Sequence, residues 1–264
     1  MDKIYTVKEV FKINRYKKKF GIIGIFFIIF TITIFNYIPV YTIHSENQKK
    51  VVYLTFDDGP TPNVTKEILN ILNRNSIKGS FFIVGSNARE NKEILKRLHE
   101  DDMCIMPHAD LHEYDEIFKS VDDYFKDLNN CQKTISSIIG KENFKFIRIP
   151  GGSDNSNGSP EVIQEVKNKI KSENRYYIDW TVDSGDTEEQ SVSVNFISSR
   201  IREYGGLYPV EVVLMHDIGG KETTIASLQY VIDFYKERGY EFNSLDNIED
   251  SQVEYLKKIK VINK

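Results

Sequence analysis

VVYLTFDDGPTPNVTKEILNILNRNSIKGSFFIVG, residues 51–85, decides the fold. Val51–Phe56 is a β-rich apolar run that stops at two carboxylates, Asp57 and Asp58. Apolar residues at helical spacing follow over 64–75, and a second β-rich run occupies Ser80–Val84. A strand, a helix and a strand in this order predict a parallel pair with a right-handed crossover. The same alternation continues outward through runs at Met103–Met106, Phe144–Ile149, Tyr176–Val182, Val210–Met215 and Tyr240–Asn243. Helical patterns separate them at 89–100, 114–139, 160–171, 192–204 and 223–238. Gly140 and Gly239 fit helix C-termini, and Pro160 fits a helix start. The expectation is an α/β protein, a distorted (β/α) barrel of about seven parallel strands.

In such a barrel the C-terminal ends of all strands meet at one mouth, where active sites form. Asp57 and Asp58 end the first run, His108 and His112 follow the third, and Arg148 ends the fourth. Asp183 and Asp186 follow the fifth, and His216 and Asp217 follow the sixth. Adjacent carboxylates resist joint ionisation unless a cation or donors offset them. His108 and His112, four apart, would face one way on a helical turn and share a metal ion with Asp58. Three ligands leave a position open, as in a catalytic site, and the nitrogen and oxygen donors suit Zn²⁺ or a similar first-row ion. Asp186 would hold His216 protonated, and Arg148 would hold Asp57 ionised. Gly151 and Gly152 leave backbone N–H groups open to a ligand.

TFDDGP (55–60), HADLH (108–112), RIPGG (148–152), WTVDSGDT (180–187) and LMHD (214–217) occur in the order of five known motifs. Over roughly Val51–Leu245 the chain resembles the polysaccharide deacetylases of the NodB-homology type, carbohydrate esterase family 4. The resemblance implies a distorted barrel and a divalent metal, zinc or cobalt. By it Asp57 is the general base, Asp58, His108 and His112 are the metal ligands, and His216 is the general acid tuned by Asp186. Arg148 positions the base, Leu214 walls an acetyl-methyl pocket, and the Gly151 N–H donates to the oxyanion. Ala109, Glu113, Gly151 and Thr187 depart from the family pattern and bear on substrate fit. Trp180 serves either as a replacement apolar surface or as core. The implied reaction is hydrolysis of N-acetyl groups on an extracellular polysaccharide, with peptidoglycan N-acetylglucosamine placed first. N-acetylmuramic acid, chitin oligomers, poly-N-acetylglucosamine and acetyl-xylan stay open, as does a non-catalytic glycan-binding module.

The ends of the 264-residue chain read differently. Residues 1–19 are strongly basic, although the whole chain has a net charge of −4. Phe20–His44 contains no Asp, Glu, Lys or Arg. As a helix it would extend roughly 37 Å, enough for a hydrocarbon core of about 30 Å. A transmembrane signal anchor is therefore expected at 20–43, with 1–19 cytoplasmic by the positive-inside rule. No small-x-small cleavage site follows it, which argues against a cleaved signal peptide. A linker is expected at 44–50, an extracellular deacetylase domain at 51–250 and a charged tail at 251–264. The acidic balance argues against a general nucleic-acid binder. Cys131 lies on a helical apolar stripe and reads as a buried thiol, and no disulfide to Cys104 and no protein partner is expected.

Overall fold

Tight β-branched and aromatic runs become strands here because both of their faces are buried. The computed structural model describes residues 49–264. The first strand, β1 (Val51–Asp57), is buried along its whole length. It leads through α1 (Val64–Arg74) to β2 (Ser80–Val84), as the crossover pattern predicts. Next come α2 (Gly85–Glu90), α3 (Lys92–Glu100), β3 (Cys104–Ala109), α4 (Tyr114–Ile117) and α5 (Val121–Ile139). The second half contains β4 (Phe146–Ile147), α6 (Pro160–Ser172), β5 (Tyr176–Tyr177), β6 (Val182–Asp183) and α7 (Val194–Tyr204). It closes with β7 (Val210–His216), α8 (Glu222–Glu237), β8 (Glu241–Phe242) and α9 (Asp250–Lys258).

Every paired strand runs parallel to its neighbour. The main sheet has the order β3-β2-β1-β7-β6, with β8 also on β1, while β4 and β5 form a ladder of their own. The expected ring of about seven strands is thus two parallel ladders, not one continuous hydrogen-bonded barrel. The seam between β3 and β4 is crossed instead by a side chain, His108, whose Nδ1 lies 2.7 Å from the Arg148 carbonyl. One core cluster joins the central strands to α1, α3, α7 and α8, and a second lies between α5, α6 and β4–β5.

The single run expected at Tyr176–Val182 is split, because Asp179 serves other partners. Its N–H donates to Val261 O (2.8 Å), and its carbonyl accepts from Arg148 Nη2 (3.1 Å). The charged tail expected at 251–264 is corrected: it forms α9 and a closing bridge. Val253, Leu256, Val261 and Ile262 are buried, and Ile262 pairs antiparallel with Ile178. Four lysines give the segment its charged look, but Val253 and Leu256 of α9 face the core. Cys131 is the buried thiol that its apolar stripe predicts, and Cys104 is buried and free as well. Among the described residues no helix is long and apolar enough to cross a membrane, and the span expected at 20–43 lies outside them.

Candidate active site

Parallel register brings the sequence motifs to one end of the sheet. Asp57 pairs across the β1–β7 ladder with His216, so the last residues of two central strands are neighbours. Asp58 then leaves β1 with φ 79, a left-handed conformation rare outside glycine. The turn is fixed by Asp58 N donating to Phe82 O (3.2 Å) and Gly59 N donating to Asp217 Oδ1 (2.9 Å).

His108 reaches the same place by a different device. The β2–β3 register passes from Ile83–Pro107 to Val84–Ala109, so His108 is the unpaired residue of a bulge. Bulges redirect a side chain, and here the imidazole turns toward Asp58. The expectation of a helical turn carrying His108 and His112 is corrected, since His108 is in a strand and His112 is in a loop at φ 62. That loop is held by Asp127, which accepts from Asp110 N (2.6 Å) and Leu111 N (3.1 Å). The ligand grouping survives the change of local structure.

Asp58 Oδ1 lies 3.4 Å from His108 Nε2 and 3.3 Å from His112 Nε2. It is buried and has no hydrogen-bond partner. All three ligand atoms fall within 4.8 Å of one another. Ligands about 2.0–2.1 Å from a tetrahedral centre are separated by roughly 3.3 Å, so these spacings fit one small divalent ion. His108 Nδ1 is engaged by the Arg148 carbonyl, which fixes the tautomer and leaves Nε2 free to ligate. Burial works to raise the Asp58 carboxyl, but the histidines around it hold it well below the usual carboxylate range. Burial also opposes charge on both imidazoles. At His108 the neighbouring carboxylates of Asp58 and Asp57 prevail and raise its pKa, whereas at His112 the His108 charge adds to burial and lowers it.

Two further pairs surround this trio. Arg148 is fully buried and donates from Nη1 to Asp57 Oδ1 (2.9 Å) and Thr55 Oγ1 (2.7 Å). Its Nε donates to Ile178 O (3.1 Å), and Phe82 covers its guanidinium at 4.2 Å. His216 Nδ1 lies 2.7 Å from Asp186 Oδ1, and Asp186 Oδ2 accepts from His216 N and Thr224 Oγ1, each at 2.8 Å. Burial works to lower the His216 pKa, but Asp186 outweighs it and pushes the ring up to about 9. Asp186 itself is held low by His216 against its own burial.

The remaining predicted residues are nearby in varying ways. The Gly151 N–H meets no acceptor among the described residues, while that of Gly152 is spent on Ile149 O (2.8 Å). Trp180 is half-buried, packed against the core and 5.7 Å from the Arg148 guanidinium. It therefore serves as core and as a wall over the arginine together. Leu214 is buried in β7, two residues before His216 and hence on the same face. Asp183 makes a local turn instead, accepting from Gly185 N (2.8 Å).

A sequence model described as polysaccharide deacetylase matches residues 44–169. A peptidoglycan-N-acetylglucosamine deacetylase of Bacillus cereus is 32% identical over 200 residues, covering 75% of this chain and 70% of that one. The chain belongs to the polysaccharide deacetylase family. Solved relatives agree in fold. The catalytic domain of a peptidoglycan N-acetylglucosamine deacetylase from Eubacterium rectale superposes with a TM-score of 0.69 at 28% identity, covering 74% of this chain and 88% of that one. The polysaccharide deacetylase Bc1974 from Bacillus cereus gives 0.65 at 31% identity, covering 77% and 94%.

Sequence reasoning missed Tyr114 and Thr224 of this polysaccharide deacetylase and gave Asp217 no role. Tyr114 packs edge-on to His112, with ring centroids 5.0 Å apart, and lies 3.4 Å from where a Gly151 side chain would begin. It stands beside the place where the family's aromatic residue is replaced by Gly151, and its position two residues after His112 was the available signal. Thr224 braces Asp186 from a helix far along the chain, a contact that no local pattern reveals. Asp217 is fully buried beneath the Asp57–Gly59 turn, where Thr65 Oγ1 donates to its Oδ2 (2.6 Å). Burial pushes its carboxyl up to about 7. A Cβ on Gly59 would lie 1.9 Å from Asp217 Oδ2, so glycine is required there.

Proposed function

We propose that the chain hydrolyses N-acetyl groups of a cell-wall polysaccharide outside the cell, with peptidoglycan N-acetylglucosamine as the first substrate. The observation that carries this reading is Asp58 Oδ1, buried, unpartnered and 3.3–3.4 Å from two imidazole nitrogens, with Asp57 and His216 beside it. Asp58, His108 and His112 would hold the metal, with zinc favoured by their donor set. When bound, a divalent ion supplies Lewis-acid polarisation of oxygen.

The protein's own groups handle the protons. Arg148 occupies Asp57 Oδ1, so Oδ2 is the oxygen that takes a proton from the attacking water. Asp186 occupies His216 Nδ1, so Nε2 delivers a proton to the leaving nitrogen. General acid–base steps of this kind contribute about 10²–10⁴-fold. The Gly151 N–H is free to donate to the carbonyl oxygen as it gains charge. Water adds to the acetyl carbon, the C–N bond breaks, and acetate and a free amino sugar result. Leu214, Trp180 and Tyr114 supply apolar surface around the acetyl group and sugar.

Location completes the reading. Residues 20–43 form a single-pass anchor with 1–19 in the cytoplasm, and 44–50 link it to an extracellular domain. Support comes from the charge-free apolar run and the basic residues before it. The relatives named as peptidoglycan-N-acetylglucosamine deacetylases support the choice of polymer. Mass spectrometry of wall fragments from cells with and without the protein tests this. Loss of acetyl groups from N-acetylglucosamine alone is expected, whereas loss from N-acetylmuramic acid alone, or unchanged acetylation, overturns the choice of substrate.

A further inference from the structure

The face opposite the site carries a feature that deacetylation does not use. The loop between α7 and β7 holds out Leu207, 64% exposed, between Tyr204 and Tyr208, which are 38% and 39% exposed. This loop is rigidly built. The fully buried carboxylate of Glu211 accepts from Gly206 N (2.9 Å), Tyr208 N (2.9 Å) and Tyr235 Oη (2.6 Å). Tyr240 Oη donates to the Tyr208 carbonyl (2.5 Å). The protrusion of Leu207 is therefore a fixed property of the fold.

The chain enters the domain at the same spot. Val51 N donates to Pro209 O (2.8 Å), which joins the first residue of β1 to the end of the exposed loop. Lys49, Lys50 and Arg238 are exposed around it, with Lys50 Nζ donating to Arg238 O (3.4 Å). Lys49 is paired with Glu241 (2.5 Å) and lies near Glu249, and Glu203 stands beside Tyr204. From Ile43 to Lys49 the chain reaches roughly 20 Å at most, at about 3.3–3.6 Å per residue.

We propose that Tyr204, Leu207 and Tyr208 dock on the lipid bilayer, with Leu207 below the headgroups and Lys50 and Arg238 among them. The inference rests on the anchor reading given under Proposed function. Tyrosines at headgroup level, an apolar tip and flanking cations are the composition of an interfacial contact. The tether is too short to carry this face far from the end of the apolar run. Docking turns the strand C-termini, and with them the site, away from the membrane toward the polymer.

The test uses the full chain in vesicles of equimolar phosphatidylcholine and phosphatidylglycerol, with a nitroxide on Leu207→Cys. Both native cysteines are buried, so labelling is selective. Ile218→Cys, beyond β7 at the mouth of the site, is the control. Oxygen should relax the label at 207 more strongly than a water-soluble nickel chelate, and the order should reverse at 218. A label at 207 relaxed mainly by the chelate, or shielded from both agents by a protein contact, overturns the docking. Carbonate extraction of the same vesicles judges the anchor separately. A chain that resists extraction while label 207 stays in water keeps the anchor and loses the docking surface. A chain released by carbonate while label 207 had met lipid loses the anchor and keeps the surface.

Discussion

Replacing Asp186 with Asn tests how the acid is tuned. The buried carboxylate sits 2.7 Å from His216 Nδ1 and is the main influence lifting that ring from 6.5 to about 9. At about 1.36 kcal/mol per pH unit, this corresponds to an interaction on the order of 3 kcal/mol. Asn preserves shape and can still accept from Thr224 but carries no charge, so burial is then opposed only by the weaker pull of Asp58 and Asp57, and the ring's pKa falls. The assay is kcat/KM for acetate release, across pH, by zinc-loaded protein. The alkaline limb, set by loss of the His216 proton, should move from near 9 to 6.5 or below, with activity at pH 8 falling at least tenfold. Stability should follow the same sign. A histidine raised in the folded state contributes fully below about 6.5, and the contribution is lost as pH rises through about 9. Asp186→Asn should therefore be less stable than the parent at pH 6 and close to it at pH 10. An alkaline limb that stays in place would refute the pairing as the source of acidity.

Gly59→Ala would put a methyl group 1.9 Å from Asp217 Oδ2 in a turn that also carries Asp58. Urea unfolding should show a loss of about 2–4 kcal/mol, and zinc titration should show weaker binding; an unchanged midpoint contradicts the packing. Arg148→Ala leaves Asp57 buried without its ion-pair partner, a change that costs about 3–5 kcal/mol. Adding Asp57→Asn should recover part of that stability but none of the activity, as read by thermal denaturation and acetate release. Leu256→Ala in α9 should cost about 2–5 kcal/mol, where an exposed tail would lose less than about 0.5.

Strand positions were legible wherever one segment's own composition decides its structure. Ser80–Val84 lies where its apolar run predicts, and Val51–Phe56 extends by the single residue Asp57. The convergence of Asp58, His108 and His112 was legible for a similar reason, because residues that end parallel strands must converge. What escaped depends on distant partners. The break between β5 and β6 follows from bonds that Asp179 makes to Arg148 and Val261. His108 and His112 meet through a bulge and a left-handed residue, although spacing alone suggests a helix. Asp217 reads as an ordinary loop acid beside a histidine until burial and its bonds to Gly59 and Thr65 are seen. The closing helix hid behind its charged residues, since two buried apolar residues, Val253 and Leu256, in a nine-residue segment carry little weight in composition.

The most direct measurement counts acetate and free amine released from N-acetylglucosamine oligomers by the full chain, before chelation, after it and after zinc is restored. Equal yields of the two products are expected, abolished by chelation and recovered with zinc. Undiminished release from metal-free protein, or new reducing ends without acetate, would contradict a hydrolase built on Asp58, His108 and His112.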